Sequence, residues 1–526
     1  MPASLSYPGV YIEELPSAVR TITGVPTSIT AFVGRAWKGA VNEPVKINSY
    51  ADYERNFGGL WRDSTLSYAV QQFFMNGGSQ ALVVRVTAGS GAKSPAPSEV
   101  DLTSGTKLVA ASDGTWGRNL VVTVEPKEKT KDPSDPKLFN LIIFDDPQKK
   151  DDVARRGGSG VRETFLNVST DTNSARYIKR VLEQQSSLVR AQTVGTNAPT
   201  AVADKQFDKT KGHDGDVISD TAVVGTDLGK TGIYALKKAD IFNLLCIPPL
   251  TPGASGTDVA LSTWTAAAQL CKEQRAFLVV DAPGNWTVST VNSASPKLSD
   301  FSAIQRDYAA LYFPRIRLAD PLQDNNLEDY APCGVVAGIM SRIDSERGIW
   351  KAPAGIEASL RGVMGLSING TPAMLTDKEN GDLNPIGINC LRGFPNIGTV
   401  VWGARTLEGS DILASQWKYV PVRRLALYVE ESLFRGTQWV VFEPNDEPLW
   451  AQIRLNLNAF MHGLFRQGAF QGVTPREAYL VKCDRETTTQ DDINRGVVNI
   501  LVGFAPLKPA EFVVIKIQQL AGQTQT

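Results

Sequence analysis

Three features of this 526-residue sequence predict an α/β fold with a mostly parallel sheet, a β-rich insertion and an α+β C-terminal region. The middle of the chain alternates short apolar runs with amphipathic ones, the pattern of right-handed crossovers covering both faces of a sheet. In residues 91–200 aromatics thin out and charged, proline-containing loops appear. The last quarter holds two long amphipathic patterns followed by two β-branched runs.

Residues 23–86 read as strand, loop, helix, strand. The helix, from about Ser64 to Asn76, sets Leu66, Val70 and Phe73 at helical spacing and stops at Gly77-Gly78, as a glycine cap dictates. Within the insertion, residues 120–124 and 138–144 are strand-like runs between solvated loops at 125–137 and 145–156. Strands are then expected at 241–247, 276–281 and 309–318, and helices at 258–274, near 302–306 and near 333–343. Pro448 opens a further helix to Gln467, with Asp446 and Glu447 ahead of it. Leu449, Ile453, Leu457, Phe460 and Leu464 form its apolar stripe, with Trp450 and Met461 at the margin. Arg454, Asn458, His462 and Arg466 follow at i+4 steps and are expected to make one polar ladder on the opposite side. No acidic residue lies between Leu449 and Thr474, so the ladder is either a solvated basic face or a docking surface.

Both ends of the sequence look adhesive. Tyr7 to Glu14 is a short extended run containing Val10, Tyr11 and Ile12. In the run Glu511 to Gln519, strand geometry puts Val513, Ile515 and Ile517 on one face and Phe512, Val514 and Lys516 on the other. Such a segment needs a slot in its own sheet or the edge of another molecule's sheet.

Net charge is −1 with acids and bases mixed, which gives no footprint for nucleic acid. Neither a secretory signal nor a bilayer-length apolar run is visible. Five scattered cysteines (246, 271, 333, 390 and 483) without a Cys-x-x-Cys fit a reducing cytosol and a role as small buried residues.

No enzyme chemistry assembles from the sequence. Val224-Gly-Thr-Asp-Leu-Gly-Lys-Thr231 approaches a phosphate loop, but Gly225 and Gly229 enclose three residues instead of four. A Ser-His-Asp triad needs a histidine held by an acid; His213 lies in a polar loop, His462 in a helix, and Asp281 ends a strand before Pro283-Gly284. No histidines or cysteines stand at metal-ligand spacing, so neither metal nor cofactor is expected.

Five stretches, in order, carry a resemblance to contractile tail sheath proteins of phages and phage-like contractile injection systems. They are Tyr7 to Glu14, Asn76-Gly-Gly-Ser to Val86, Ser341-Arg-Ile-Asp to Gly355, Leu383 to Arg392 with Val401 to Arg405, and nearly everything from Trp417 to Gln519. The resemblance implies a subtilisin-like α/β core without a catalytic triad and a subunit that is not an enzyme. It implies an N-terminal arm (1–22), a core in two parts (23–90 and 201–415) and an inserted outer β-rich domain (91–200). A tube-facing C-terminal domain (416–505) and a C-terminal arm (506–526) would complete the chain. Val10, Tyr11, Ile12, Phe512, Val513, Val514, Ile515 and Ile517 would then add strands to neighbouring subunits, and Arg454, Asn458, His462 and Arg466 would face an inner tube. Expected partners are copies of the chain in hexameric rings of a helical polymer, the tube, and baseplate and cap proteins, with no nucleic acid and no membrane insertion. Assembly is expected in the bacterial cytoplasm, within a phage tail or an injection particle. Competing classes are a non-contractile shell or baseplate module and a P-loop or hydrolytic enzyme.

Overall fold

The computed structural model describes residues 20–516, except 90, 92–93, 149–157, 254–255 and 290–304. The expected segment Tyr7 to Glu14, with Val10, Tyr11 and Ile12, lies outside the described residues, as does Ile517. The chain forms two compact units: Thr27–Ser345 with Pro353–Lys418, and the described parts of Met1–Pro26, Glu346–Ala352 and Tyr419–Thr526.

The larger unit is built on an eight-stranded sheet. Its strands are β1 (Thr30–Gly34), β2 (Val45–Ile47), β3 (Ala81–Arg85), β4 (Leu244–Cys246), β5 (Phe277–Asp281), β6 (Ala309–Phe313), β7 (Ile388–Phe394) and β8 (Gly398–Val401). Their order is β8-β7-β6-β5-β4-β1-β3-β2. The six inner strands run parallel, while β2 and β8 close the edges antiparallel. Every residue of β1, β3, β5 and β6 is buried, as a parallel sheet covered on both faces requires. Helix α1 (Thr65–Met75) covers one face, where Phe73 meets Phe32 edge-on at 5.5 Å. Helix α2 (Leu261–Glu273) packs Trp264, Ala267 and Leu270 against Ala31, Val33 and Leu245. Helix α3 (Cys333–Arg347) lies so close to α1 that a Cβ at Gly334 would stand 2.1 Å from the Ala69 carbonyl.

The helix expected at 64–76 forms at Thr65–Met75, with the Ser64 side chain capping the Ser67 amide. The strand expected over 309–318 is corrected. It breaks at Pro314, which has no N–H for a ladder, and Arg315–Asp320 joins a separate four-stranded sheet. Of the helix expected near 302–306, residues 302–304 lie outside the described residues, and a single 3-10 turn covers Arg306–Tyr308.

Between β3 and β4 the chain makes two antiparallel sheets. One joins Leu120–Val124, Leu138–Asp145, Arg162–Ser169 and Val202–Gln206; the other joins Glu99–Asp101, Lys107–Ala110 and Val189–Thr193. They share a core around Trp116, Phe139, Leu141 and Ile178, capped by Trp37 and Trp61.

Motifs far apart in sequence meet in this unit. The Arg342 guanidinium donates to the carbonyls of Asn76, Glu357 and Ser359 at 3.2, 3.2 and 2.7 Å. Asn389 exchanges hydrogen bonds with the Arg405 backbone, both at 2.7 Å. All five cysteines are buried and unbridged.

Candidate assembly surfaces

The smaller unit is where both described chain ends are seated. Two helices, α4 (Val420–Gly436) and α5 (Glu447–Arg466), pack against a two-stranded antiparallel sheet of β9 (Tyr479–Lys482) and β10 (Leu501–Phe504). Asp446 caps α5 by accepting from the Leu449 amide at 3.2 Å. Leu449, Ile453, Leu457 and Leu464 are buried as the apolar stripe requires, and so are Trp450 and Met461. Tyr479, Val481, Val502 and Phe504 pack inward. Leu480 and Leu501 stay about half exposed on the outer face, and each strand keeps one edge without a partner strand among the described residues.

Residues 20–26 are clamped onto this same unit. The Arg20 amide donates to Asn456 at 2.9 Å, and its guanidinium lies over the Trp439 ring at 4.5 Å. Ile22 is buried, and the Val25 amide donates to the Ser432 hydroxyl at 3.2 Å. Gly24 lies so close beneath Tyr428 that a Cβ would come 2.0 Å from the phenol oxygen. The other end leaves β10 through an isolated bridge between Phe470 and Pro506, and Glu511 accepts from the Tyr419 hydroxyl at 3.1 Å. Residues 511–516 then take no strand position in this chain. Phe512, Val513, Val514 and Ile515 are 73–81% exposed, four large apolar side chains in a row held in water. Nothing in the sequence patterns indicated that the N-terminal linker belongs with the C-terminal unit.

The polar ladder of α5 does not form one face. A four-residue step turns a helix about 400°, so each rung rotates about 40° from the last. Arg454 is half-buried, ion-paired to Glu447 at 2.6 Å and also bonded to the Cys483 carbonyl. Asn458 is half-buried as well and donates to the Arg454 carbonyl at 2.8 Å. His462 and Arg466 are exposed, with the His462 Nδ1 at 3.5 Å from the Tyr479 hydroxyl. The outward side of α5 therefore runs through Leu455, Ala459, His462 and Arg466.

The segments weighed for chemistry are occupied by structural contacts. Residues 220–224 form a helical turn rather than a strand, and the loop after it closes on itself. The Thr226 amide donates to the Thr231 hydroxyl at 2.9 Å and the Thr231 amide to the Thr226 carbonyl at 3.1 Å, so these amides do not converge on a phosphate position. Asp281 is buried at the end of β5, where its carboxylate accepts from the first amide of α3, that of Cys333, at 2.9 Å. Burial pushes this carboxyl up to about 7, partly offset by that hydrogen bond and by Arg315. His213 is held in the β-rich region by backbone pairing with Ala96. Among the described residues no group of three or more His, Cys, Asp or Glu is placed to hold a metal, and no helix is long and apolar enough to cross a membrane.

The larger unit thus carries a mostly parallel α/β sheet, and the smaller unit holds both described chain ends with four exposed apolar side chains near the last. Family comparisons identify this combination. The phage tail sheath protein central domain matches residues 230–407, and the phage tail sheath C-terminal domain matches residues 414–519, together more than half of the chain. The chain belongs to the phage tail sheath family. Its fold is similar to the sheath of PVC, an extracellular contractile injection system, in the contracted state: 23% identity, 98% of each chain covered, TM-score 0.57. The contracted helical sheath of the anti-feeding prophage matches at 22% identity over 98% of this chain and 100% of that one, with a TM-score of 0.58. The sheath tail protein Lin1278 of Listeria innocua matches at 13% identity over 93% and 96%, with a TM-score of 0.59. No curated protein matches the sequence.

Proposed function

We infer that this chain is the structural sheath subunit of a contractile tail or injection system. Many copies polymerise around an inner tube and then shorten and widen to drive the tube into a target envelope. The observation that carries the reading is the match of two sheath domains, in sheath order, across residues 230–407 and 414–519. Contraction draws on contacts between subunits, and no nucleotide enters the mechanism. The arms, residues 1–22 and 506–526, join copies by adding strands to neighbouring sheets. Two features support this: the apolar, unpaired run at Phe512–Ile515 and the open edges of β9 and β10. Residues 20–26 anchor the tether on its own subunit, so the five residues between Glu14 and Arg20 reach up to about 17 Å when extended.

In the same reading, the exposed end of α5 with His462 and Arg466 meets the tube, and Arg454 and Asn458 shape the surface from within. Residues 91–200 decorate the outside, and the parallel core is a subtilisin-type scaffold without a catalytic role. The burial of the Asp281 carboxylate against α3 supports that last point. Baseplate and cap proteins bound the polymer, which is assembled in a bacterial cytoplasm. The test is to express the chain alone and image it by negative-stain electron microscopy. Hollow helical tubes with six-fold end views are expected; only monomers or closed rings at every concentration would reject the reading.

A further inference from the structure

A groove of about 240 Å³ opens on the smaller unit between residues 21–24, α4 and the last turns of α5. Its walls are Ile22, Gly24, Tyr428, Phe460, Gly463 and Leu464. Two aromatic rings frame it, Tyr428 and Phe460, with centroids 6.2 Å apart. At the other end of α5, the loop joining it to α4 carries a side chain of matching character. Phe442 is fully exposed and sits at φ 70, a conformation that costs a bulky residue strain, beside the exposed Val441. The turn is held by backbone bonds from the Val441 amide to Gln438 and from the Glu443 amide to Val440.

We propose that Phe442 of one copy inserts into the Tyr428–Gly463 groove of the next. This rests on the sheath reading, in which copies form an open helix. Knob and hole lie near opposite ends of a 20-residue helix, roughly 30 Å long, so they serve a head-to-tail contact, which in the sheath reading repeats along the open helix. Charge favours a second copy as the occupant. Glu443 and Asp446 flank the knob, while Arg466 and His462 are exposed on the turns of α5 that line the hole. Arg466 cannot face the tube and Glu443 of a neighbour at once, so the contact belongs to sheath released from the tube.

Three variants test this in the full chain without tube, by sedimentation and electron microscopy. Phe442→Ser removes a fully exposed side chain. Gly463→Leu fills the hole, and its Cβ meets nothing within 4 Å; an unchanged melting temperature of the monomer is the control for folding. Glu443→Arg reverses the flanking charge and is to be rescued by Arg466→Glu. Each single variant is expected to raise the critical concentration for polymerisation at least tenfold, and the charge-swapped pair to return it toward the parent value. Polymerisation of Phe442→Ser at the parent concentration overturns the contact while leaving the sheath reading intact. Loss with Gly463→Leu alone assigns the groove to another occupant, such as the C-terminal arm, and also overturns it. A parent chain that never polymerises removes both the reading and the contact.

Discussion

Asn389 shows how a single side chain ties together three neighbouring segments of the sheet. Fully buried, it donates to the carbonyls of Leu311 and Arg405 and accepts from the Arg405 amide, three bonds at 2.7–3.1 Å. Asn389→Ala removes the amide without overpacking the site and leaves those backbone groups unpaired, so urea unfolding should show a loss of about 3–5 kcal/mol; a loss below about 1 kcal/mol would remove this role. Asp281 makes the opposite contribution. Its folded value, about 7, lies above the ordinary 3.8, so the folded state holds a proton that the unfolded state releases. The stability linked to it is present below pH 4 and is lost as pH rises through 7, by a few kcal/mol. Asp281→Asn should therefore raise the melting temperature at pH 8 and change it little at pH 4–5, while an equal shift at both would contradict the assignment. The sequence placed Asp281 at a strand end, but burial against the first amide of α3 is a tertiary fact that no local pattern records.

Elements were legible where periodicity and caps agreed. Helix α1 falls within a residue of its Ser64 and Gly77-Gly78 signals, and the buried stripe of α5 follows its apolar spacing. The inner strands were readable because their runs are apolar without alternation, as burial on both faces demands. The polar side of α5 was less legible, because an i+4 series drifts around the helix and its first rungs turn inward. That drift changes the experiment. Arg454→Glu would break the pair with Glu447 and the bond to Cys483 inside the same unit, confusing folding with docking. Arg466→Glu alone is the cleaner probe of the tube surface. It should reduce sheath–tube co-assembly several-fold while tube-free polymers vary with the charge on residue 443. Raising ionic strength should weaken the parent similarly, since exposed pairs are screened within about 10 Å at 0.1 M. Unchanged co-assembly would make the ladder a solvated face. Residues 20–26 and Phe442 were missed for a simple reason: a linker and a loop have no period, and only packing reveals where they lie.

On the scale of the whole molecule, the sheath reading separates a body from the ends that join bodies. The β-rich region has its own core around Trp116 and Phe139. Because Val202–Gln206 and Phe207 belong to this region, replacing residues 91–213 with a short Gly/Ser join should still give tubes by electron microscopy, whereas loss of all assembly would show that this region links subunits. The C-terminal arm is different, because Phe512–Ile515 have no partner strand among the described residues. Roughly eight main-chain hydrogen bonds at about 1 kcal/mol each, with about 2 kcal/mol for each buried Val or Ile, are gross terms before ordering entropy. They still exceed any exposed salt bridge, so arms can stay paired while body surfaces slide. The most direct measurement compares the full chain with a version lacking residues 506–526 by sedimentation velocity and electron microscopy. The account predicts a folded, soluble monomer that melts like the parent's body and forms no tubes. Tubes of parental length and yield from the truncated chain would contradict it.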